Sequence, residues 1–332
     1  MNRLEPADAA LFFKGTSGDP RLGEVARRGL PEGALEASTI ALLGIADDRG
    51  IVNGGGRAGA RLGPQEFRRF FYKLTPGGTA DLKGLTICDL GDAGPGPSGE
   101  GGAERSIEEV HALAEANVRD AISRGATVVS IGGGHDVAFG SHSGLVTGLP
   151  EGARVFGLNV DAHLDLRPLR DGKITSGTPF RRLLERFGPR YKLSEYGIQM
   201  QHNAEEHFDY AQEHGVRVHE LFTLGTSPIA RFAEELEHLT RNAEAIALSL
   251  CLDAVEASSA PGVSAPCPDG FSARELYAFA RIAGAEPKVR LLDLVELSPP
   301  LDVDGRTARL AASAAWHFLG GVATRSFARI EE

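Results

Sequence analysis

Asp161, His163 and Asp165 stand at alternate positions in NVDAHLDLRP, immediately after the apolar run VFGLNV. Carboxylates and imidazoles are metal ligands, and on an extended strand side chains two apart point to the same face. The spacing therefore predicts three polar heads converging on one spot, which needs a cation. Two other apolar runs end in similar groups: TVVSIGGGHD reaches His135, and ALSLCLD reaches Cys251 and Asp253. A lone D-x-H-x-D could equally cap a helix, with His163 an ordinary half-exposed histidine. Three strand ends that deliver such side chains together argue instead for a metal centre, and carboxylate mixed with imidazole suits manganese, iron or zinc.

Positioning these groups requires strand ends on one edge. Short runs rich in Val, Ile and Leu recur near 39–47, 85–92, 127–134, 155–161, 195–199, 216–221, 245–253 and 289–298. Most are apolar on both faces, as are strands of a parallel sheet covered on either side. Helix-length amphipathic segments separate them, near 64–75, 105–124, 137–146, 178–187, 203–214, 228–241, 271–284 and 305–319. The alternation predicts a doubly wound α/β fold, a mainly parallel eight-stranded sheet with helices on both faces. We expect residues 1–332 to form a single domain, with 1–36 an N-terminal extension packed on it. The Gly-, Pro- and Ser-rich stretch 92–105 reads as a surface loop, because the alternation resumes beyond it. Ligands of open α/β sheets bind outside the carboxyl ends of the strands, where the candidate metal ligands fall.

Composition narrows the function. With 332 residues, 42% of them hydrophobic, the chain can bury a full core. A formal charge of -10 argues against a nucleic-acid partner, which needs clustered Lys and Arg. No long apolar run or signal-peptide pattern is visible, so we expect no membrane association and a cytoplasmic protein. The three cysteines, Cys88, Cys251 and Cys267, form no C-x-x-C pair and no disulfide framework. Gly54, Gly56 and Gly59 satisfy G-x-G-x-x-G, but DDRGIVN separates them from the preceding strand, which excludes the dinucleotide fingerprint. Neither a phosphate-binding G-x-x-x-x-G-K-[ST] loop nor a G-x-S-x-G elbow occurs.

IGGGHD, NVDAHLD, SLCLDAVEASSAPG and DLVELSP follow the order and approximate spacing of one known family. From about Ile40 to Ala323 the chain resembles the ureohydrolases, which include arginase, agmatinase and formimidoylglutamase. NGGGRAGARLGPQEFR, 53–68, is similar to that family's Gly-rich loop before its first core helix. The resemblance implies two divalent ions, normally Mn2+, at the sheet edge. One would be held by His135, Asp161, Asp165 and residue 251, the other by His163, Asp161, residue 251 and Asp253. The chain departs from the family at 251, where S-x-D-x-D reads Ser249, Leu250, Cys251, Leu252, Asp253. A deprotonated thiol restores the charge, yet it is a soft ligand better matched to Zn2+ or Fe2+.

The resemblance also implies a reaction: hydrolysis of a guanidinium or amidine C–N bond by a metal-activated hydroxide. Asp165 would orient the hydroxide and pass its proton to the leaving amine, and Glu296 would hold the cationic amidine. Members acting on arginine or agmatine commonly carry a histidine in H-G-x-P, where this chain has Ser176, Gly177, Thr178, Pro179 and Phe180. SGTPF, the HLDLRP context and GIQMQHN at 197–203 resemble the formimidoylglutamase branch, which converts N-formimidoyl-L-glutamate to L-glutamate and formamide in histidine degradation. That substrate's carboxylates require cations or convergent donors. Arg167 is the first candidate, because a guanidinium holds a carboxylate bidentately; Ser176, Arg57 and Arg170 are further ones. A guanidino hydrolase of agmatinase or arginase type, and a metal-poor non-catalytic member, are the alternative readings. The family further implies a homo-oligomer, a trimer or hexamer.

Overall fold

The computed structural model describes residues 4–13, 15, 18–77, 82, 84–98 and 103–327. The eight expected strands are present: Thr39–Ile45 (β2), Thr86–Ala93 (β3), Thr127–Gly132 (β4), Val155–Val160 (β5), Tyr191–Ile198 (β6), Arg217–Glu220 (β7), Ala245–Cys251 (β8) and Val289–Val295 (β9). A ninth, Arg27–Arg28 (β1), pairs with Cys88 and Asp89 on the outer edge of β3. Two exposed arginines carry no alternation, so nothing in their pattern announces a strand. All pairings in this sheet are parallel, in the order β1-β3-β2-β4-β9-β8-β5-β6-β7.

Apolar residues on both sides of each central strand explain why the sheet is covered twice. Ile40, Leu42, Leu248, Leu250, Leu292 and Leu294 face one core, built with the helices Gly63–Phe71, Ala273–Ala285 and Arg306–Phe327. Ala41, Leu43, Ala245, Ala247, Leu291 and Val295 face the other, built with Ile107–Ser123, Ala138–Gly148 and Pro179–Phe187. Ser106 and Ser272 start two of these helices with capping boxes, each hydroxyl accepting from a Glu N–H three residues on while that Glu accepts in return. Within the glycine-rich stretch 92–105, Pro97–Ser98 pairs antiparallel with Ala103–Glu104; residues 99–102 lie outside the described residues. Of the N-terminal extension, residues 1–3, 14, 16 and 17 also lie outside them, while Leu22 is fully buried in the first core. No helix among the described residues is long and apolar enough to cross a membrane.

The strand order positions the site. Strands β4, β9, β8 and β5 are contiguous in the middle of the sheet, so the residues just beyond their ends share one stretch of its carboxyl edge.

Candidate metal centre

His135 follows β4 through Gly132, Gly133 and Gly134. A Cβ on Gly133 would lie 1.9 Å from the carbonyl oxygen of Asp47, so only glycine lets the two backbones pass. The close passage is fastened by Gly133 N–H to the Ile45 carbonyl, 2.8 Å, and Gly134 N–H to the Asp47 carbonyl, 3.0 Å. His135 is thereby turned back over the sheet edge, 2% exposed, its ring edge-on to Phe180 at 5.2 Å. Its Nε2 meets the Ser249 hydroxyl at 2.8 Å, which leaves Nδ1 facing the site.

The expectation that Asp161, His163 and Asp165 share a strand face is corrected: β5 ends at Val160, and 161–168 is loop. Alternation still operates along this loop. Ala162, Leu164 and Leu166 are fully buried, so the intervening polar residues turn the other way, to the site. Asn203, from GIQMQHN, clamps the loop: its Oδ1 accepts from Leu164 N–H at 2.8 Å and its Nδ2 donates to the carbonyls of Ala162 and Gln199, 2.9 Å each. Asp161 Oδ1 accepts from His163 N–H at 2.8 Å, and Asp165 adopts a left-handed backbone, φ 48°.

Cys251 closes β8, and a short 3-10 turn, Leu252–Ala254, swings Asp253 back over the edge. Glu296 follows β9 with φ 70°, its N–H donating to Gly133 O and its Oε1 accepting from His135 N–H, both 2.9 Å. Left-handed backbone costs a non-glycine residue about 1–3 kcal/mol and persists where the surroundings enforce it.

The ligand atoms converge. His135 Nδ1 lies 2.9 Å from Asp161 Oδ2 and 3.0 Å from Asp165 Oδ2; His163 Nδ1 lies 3.3 Å from both Asp161 Oδ1 and Asp253 Oδ2. Two groups emerge, His135 with Asp161 and Cys251, and Asp161 with His163 and Asp253, each with ligand atoms within 4.8 Å of one another. Asp161 belongs to both. His135 Nδ1, despite its short distances, is buried without a hydrogen bond, and so is Asp253 Oδ1. Donors about 2.1 Å from one ion, at right angles to each other, lie roughly 3 Å apart. The residues thus fit divalent cations.

Protonation follows from the crowding. Burial alone would depress His163, but Asp253 and Asp161 outweigh it and the ring is pushed up to about 12. His135 is raised in the same way by Asp161 and Asp165. Burial would raise Asp161, yet the two imidazoles hold it well below the usual carboxylate range. Burial, then Asp161, lifts Asp253 to about 6; burial also pushes up the Cys251 thiol and the Glu296 carboxyl. Without a dication, the surplus of acidic groups is met by retained protons.

An inner cavity of about 150 Å³ is lined by His163, Asp165, Cys251, Asp253, Glu296 and Ser176, among others. An outer one of about 700 Å³ includes Lys173, Gln201 and His202 in its walls, and Gly54 and Arg167 line both. Arg167 is exposed and makes no hydrogen bond or ion pair through its guanidinium among the described residues; its stem crosses Gly177, where a Cβ would be 2.8 Å from Arg167 Cδ. Arg57 departs from expectation. It lines neither cavity, and its guanidinium donates to the carbonyls of Val263 and Ser264 at 2.8 and 3.0 Å, fastening a loop. Arg170 is paired with Glu206 at 2.7 Å. Lys173, Gln201 and His202 carry no signal of a role in the sequence; only the QMQHN stretch hints at the last two.

A family model described as the arginase family matches residues 38–320. The formimidoylglutamase of Aromatoleum aromaticum is 35% identical over 293 residues, 86% of this chain and 84% of the relative. That of Ralstonia nicotianae is 34% identical over 297 residues, 87% of each. Among solved structures, Trypanosoma cruzi formiminoglutamase with Mn2+2 superposes with a TM-score of 0.78 at 31% identity, covering 92% of this chain and 99% of that one. With the family model and these relatives each spanning most of its length, the chain belongs to the arginase family.

Proposed function

We propose that this protein is a metal-dependent hydrolase that adds water across the amidine C–N bond of N-formimidoyl-L-glutamate, releasing L-glutamate and formamide. The observation that carries the reading is the set of ligand-type side chains from three strand ends, His135, Asp161, His163, Cys251 and Asp253, with Asp165 against His135, gathered beside a cavity that continues to a free guanidinium. The formimidoylglutamases among its relatives support the choice of substrate.

Bound dications, Mn2+ as in the Trypanosoma cruzi enzyme, supply a water acidified enough to attack at neutral pH. The chain does the rest. Asp165, which lines the inner cavity, holds a proton on its carboxylate between its removal from the attacking water and its delivery to the departing glutamate nitrogen. Glu296 faces the same cavity from β9 and pairs with the cationic amidine. Ser176 offers a hydroxyl on the wall, and Arg167 engages a substrate carboxylate where the two cavities meet. Arg57, tied to backbone carbonyls, has no part in this scheme.

We read residues 1–332 as one domain with 1–36 packed on it, which the pairing of Arg27–Arg28 with β3 supports. The protein would work in the cytoplasm as a homo-oligomer, a trimer or hexamer. Its three cysteines are free, as suits a reducing compartment. The test is formamide release from N-formimidoyl-L-glutamate by the full chain, supplied separately with manganese, iron and zinc. Urea release from agmatine or arginine in place of that activity would reassign the substrate. Absence of any turnover with bound metal would mark a non-catalytic member.

A further inference from the structure

Cys251 breaks the symmetry of the candidate centre. Its sulfur groups with the ligand atoms of His135 and Asp161, while Asp161, His163 and Asp253 form the second group without it. Reach explains the division. A thiol sulfur is bonded directly to Cβ and is one donor atom, whereas a carboxylate extends an atom further and presents two oxygens able to span two ions. Cys251 is held at the end of β8, 1% exposed; its sulfur groups with His135 and Asp161 and also faces the carboxyl of Asp253. A second observation marks that spot independently: His135 Nδ1 is buried, points into it and has no hydrogen bond. The two positions therefore differ in chemistry, one offering an imidazole, the Asp161 carboxylate and a sulfur, with Asp165 beside them, the other an imidazole and two carboxylates. Soft thiolates select zinc or iron(II), while carboxylate with imidazole also accepts manganese.

We infer that the centre is built for two unlike dications: a thiophilic ion held by Cys251, His135 and Asp161, and a harder, manganese-class ion held more weakly by Asp161, His163 and Asp253. This rests on the metal-dependent reading above. Occupying the first position replaces the S–H bond by a metal–sulfur bond and releases one proton to solvent, with no change of oxidation state. The second position binds more weakly because the carboxylate that would have reached it from residue 251 is missing.

Cobalt(II) titration of the metal-free full chain tests this without reference to activity. A thiolate-to-cobalt charge-transfer band should grow to one equivalent in the wild type and be absent in Cys251→Asp and Cys251→Ser. One equivalent of zinc should abolish the band, whereas an about hundredfold excess of manganese should leave it. Cys251→Asp should shift the zinc-to-manganese affinity ratio about tenfold or more toward manganese; should this variant not fold by circular dichroism, the nearly isosteric serine carries the comparison. Cobalt bound to the wild type without a sulfur band, or manganese displacing it as readily as zinc, overturns the unlike-ion assignment and leaves a metal centre standing. Failure of cobalt, zinc and manganese alike to bind overturns the metal-dependent reading itself.

Discussion

Replacing Glu296 by Gln separates its charge from its structural duty. The side chain is 4% exposed, and its Oε1 accepts the His135 N–H at 2.9 Å. Glutamine keeps that oxygen and nearly the same volume, so His135 stays in place and stability changes by less than about 1 kcal/mol, ~1–2 °C in melting temperature for a chain of this size. What disappears is the capacity to ionise. Burial, then Asp253, pushes the Glu296 carboxyl up in the metal-free protein, and Glu296 belongs to neither group of metal-type side chains, so metal content should be unchanged by a neutral amide there. A cationic amidine beside it reverses that balance and draws out the anion. Losing one partner of a buried ion pair costs about 2–5 kcal/mol, and each 1.4 kcal/mol is about tenfold, so kcat/KM for formamide release should fall about 30- to 4,000-fold. The assay is steady-state formamide release beside metal analysis of the same preparation. A fall of less than about tenfold in a fully metalled variant would remove Glu296 from the substrate site, and a matching loss of metal would reassign it to the centre.

Arg167→Met should raise KM for N-formimidoyl-L-glutamate about 10- to 140-fold, the worth of one charge-assisted hydrogen bond, and leave a carboxylate-free amidine almost unaffected; equal effects on both substrates would place Arg167 outside the site. Gly133→Ala puts a methyl 1.9 Å from the Asp47 carbonyl oxygen; we expect a loss of about 1–3 kcal/mol or more by thermal melting, together with weakened metal binding as His135 shifts, and an unchanged melting temperature would contradict the close passage. In the metal-free protein His163 is pushed up to about 12 by Asp253 and Asp161 against burial, from an ordinary 6.5. A raised value contributes stability that is complete below about pH 6.5 and declines as pH climbs toward the folded value. The denaturation-midpoint advantage of metal-free wild type over His163→Gln should therefore be largest at pH 6 and narrower at pH 9; an advantage that widens with pH would refute the assigned pairing.

The parts of this fold legible in the sequence are those with a repeating local cause. Strands such as β2 and β8 bury both faces, which writes itself as an unbroken apolar run. Spacing also survived a change of conformation: Asp161, His163 and Asp165 turn to the site although the strand has ended, because Ala162, Leu164 and Leu166 are pulled into the core between them. Contacts between distant segments left no such trace. Arg57 sits in a motif-like glycine stretch, yet its fate is decided by carbonyls more than 200 positions away, at Val263 and Ser264. Lys173, Gln201 and His202 join one cavity only because two loops meet there.

Backbone strain is the least legible property and ties the site most closely to the fold. Among the described residues, four that are not glycine have a left-handed φ, and two of them are Asp165 and Glu296. The other two, Asp171 and Asp304, lie on exposed turns where neighbours can relax. Asp165 and Glu296 cannot be exchanged for glycine without losing the carboxylate, and no local pattern marks a position that must be both strained and charged. The strain is held by what surrounds it: Glu296 N–H is tied to Gly133, and the stretch carrying Asp165 is clamped by Asn203. Both carboxylates are therefore aimed by strand ends that hydrophobic burial on two faces keeps in register, which places the cost of this geometry on the core and not on the cavity the two side chains line.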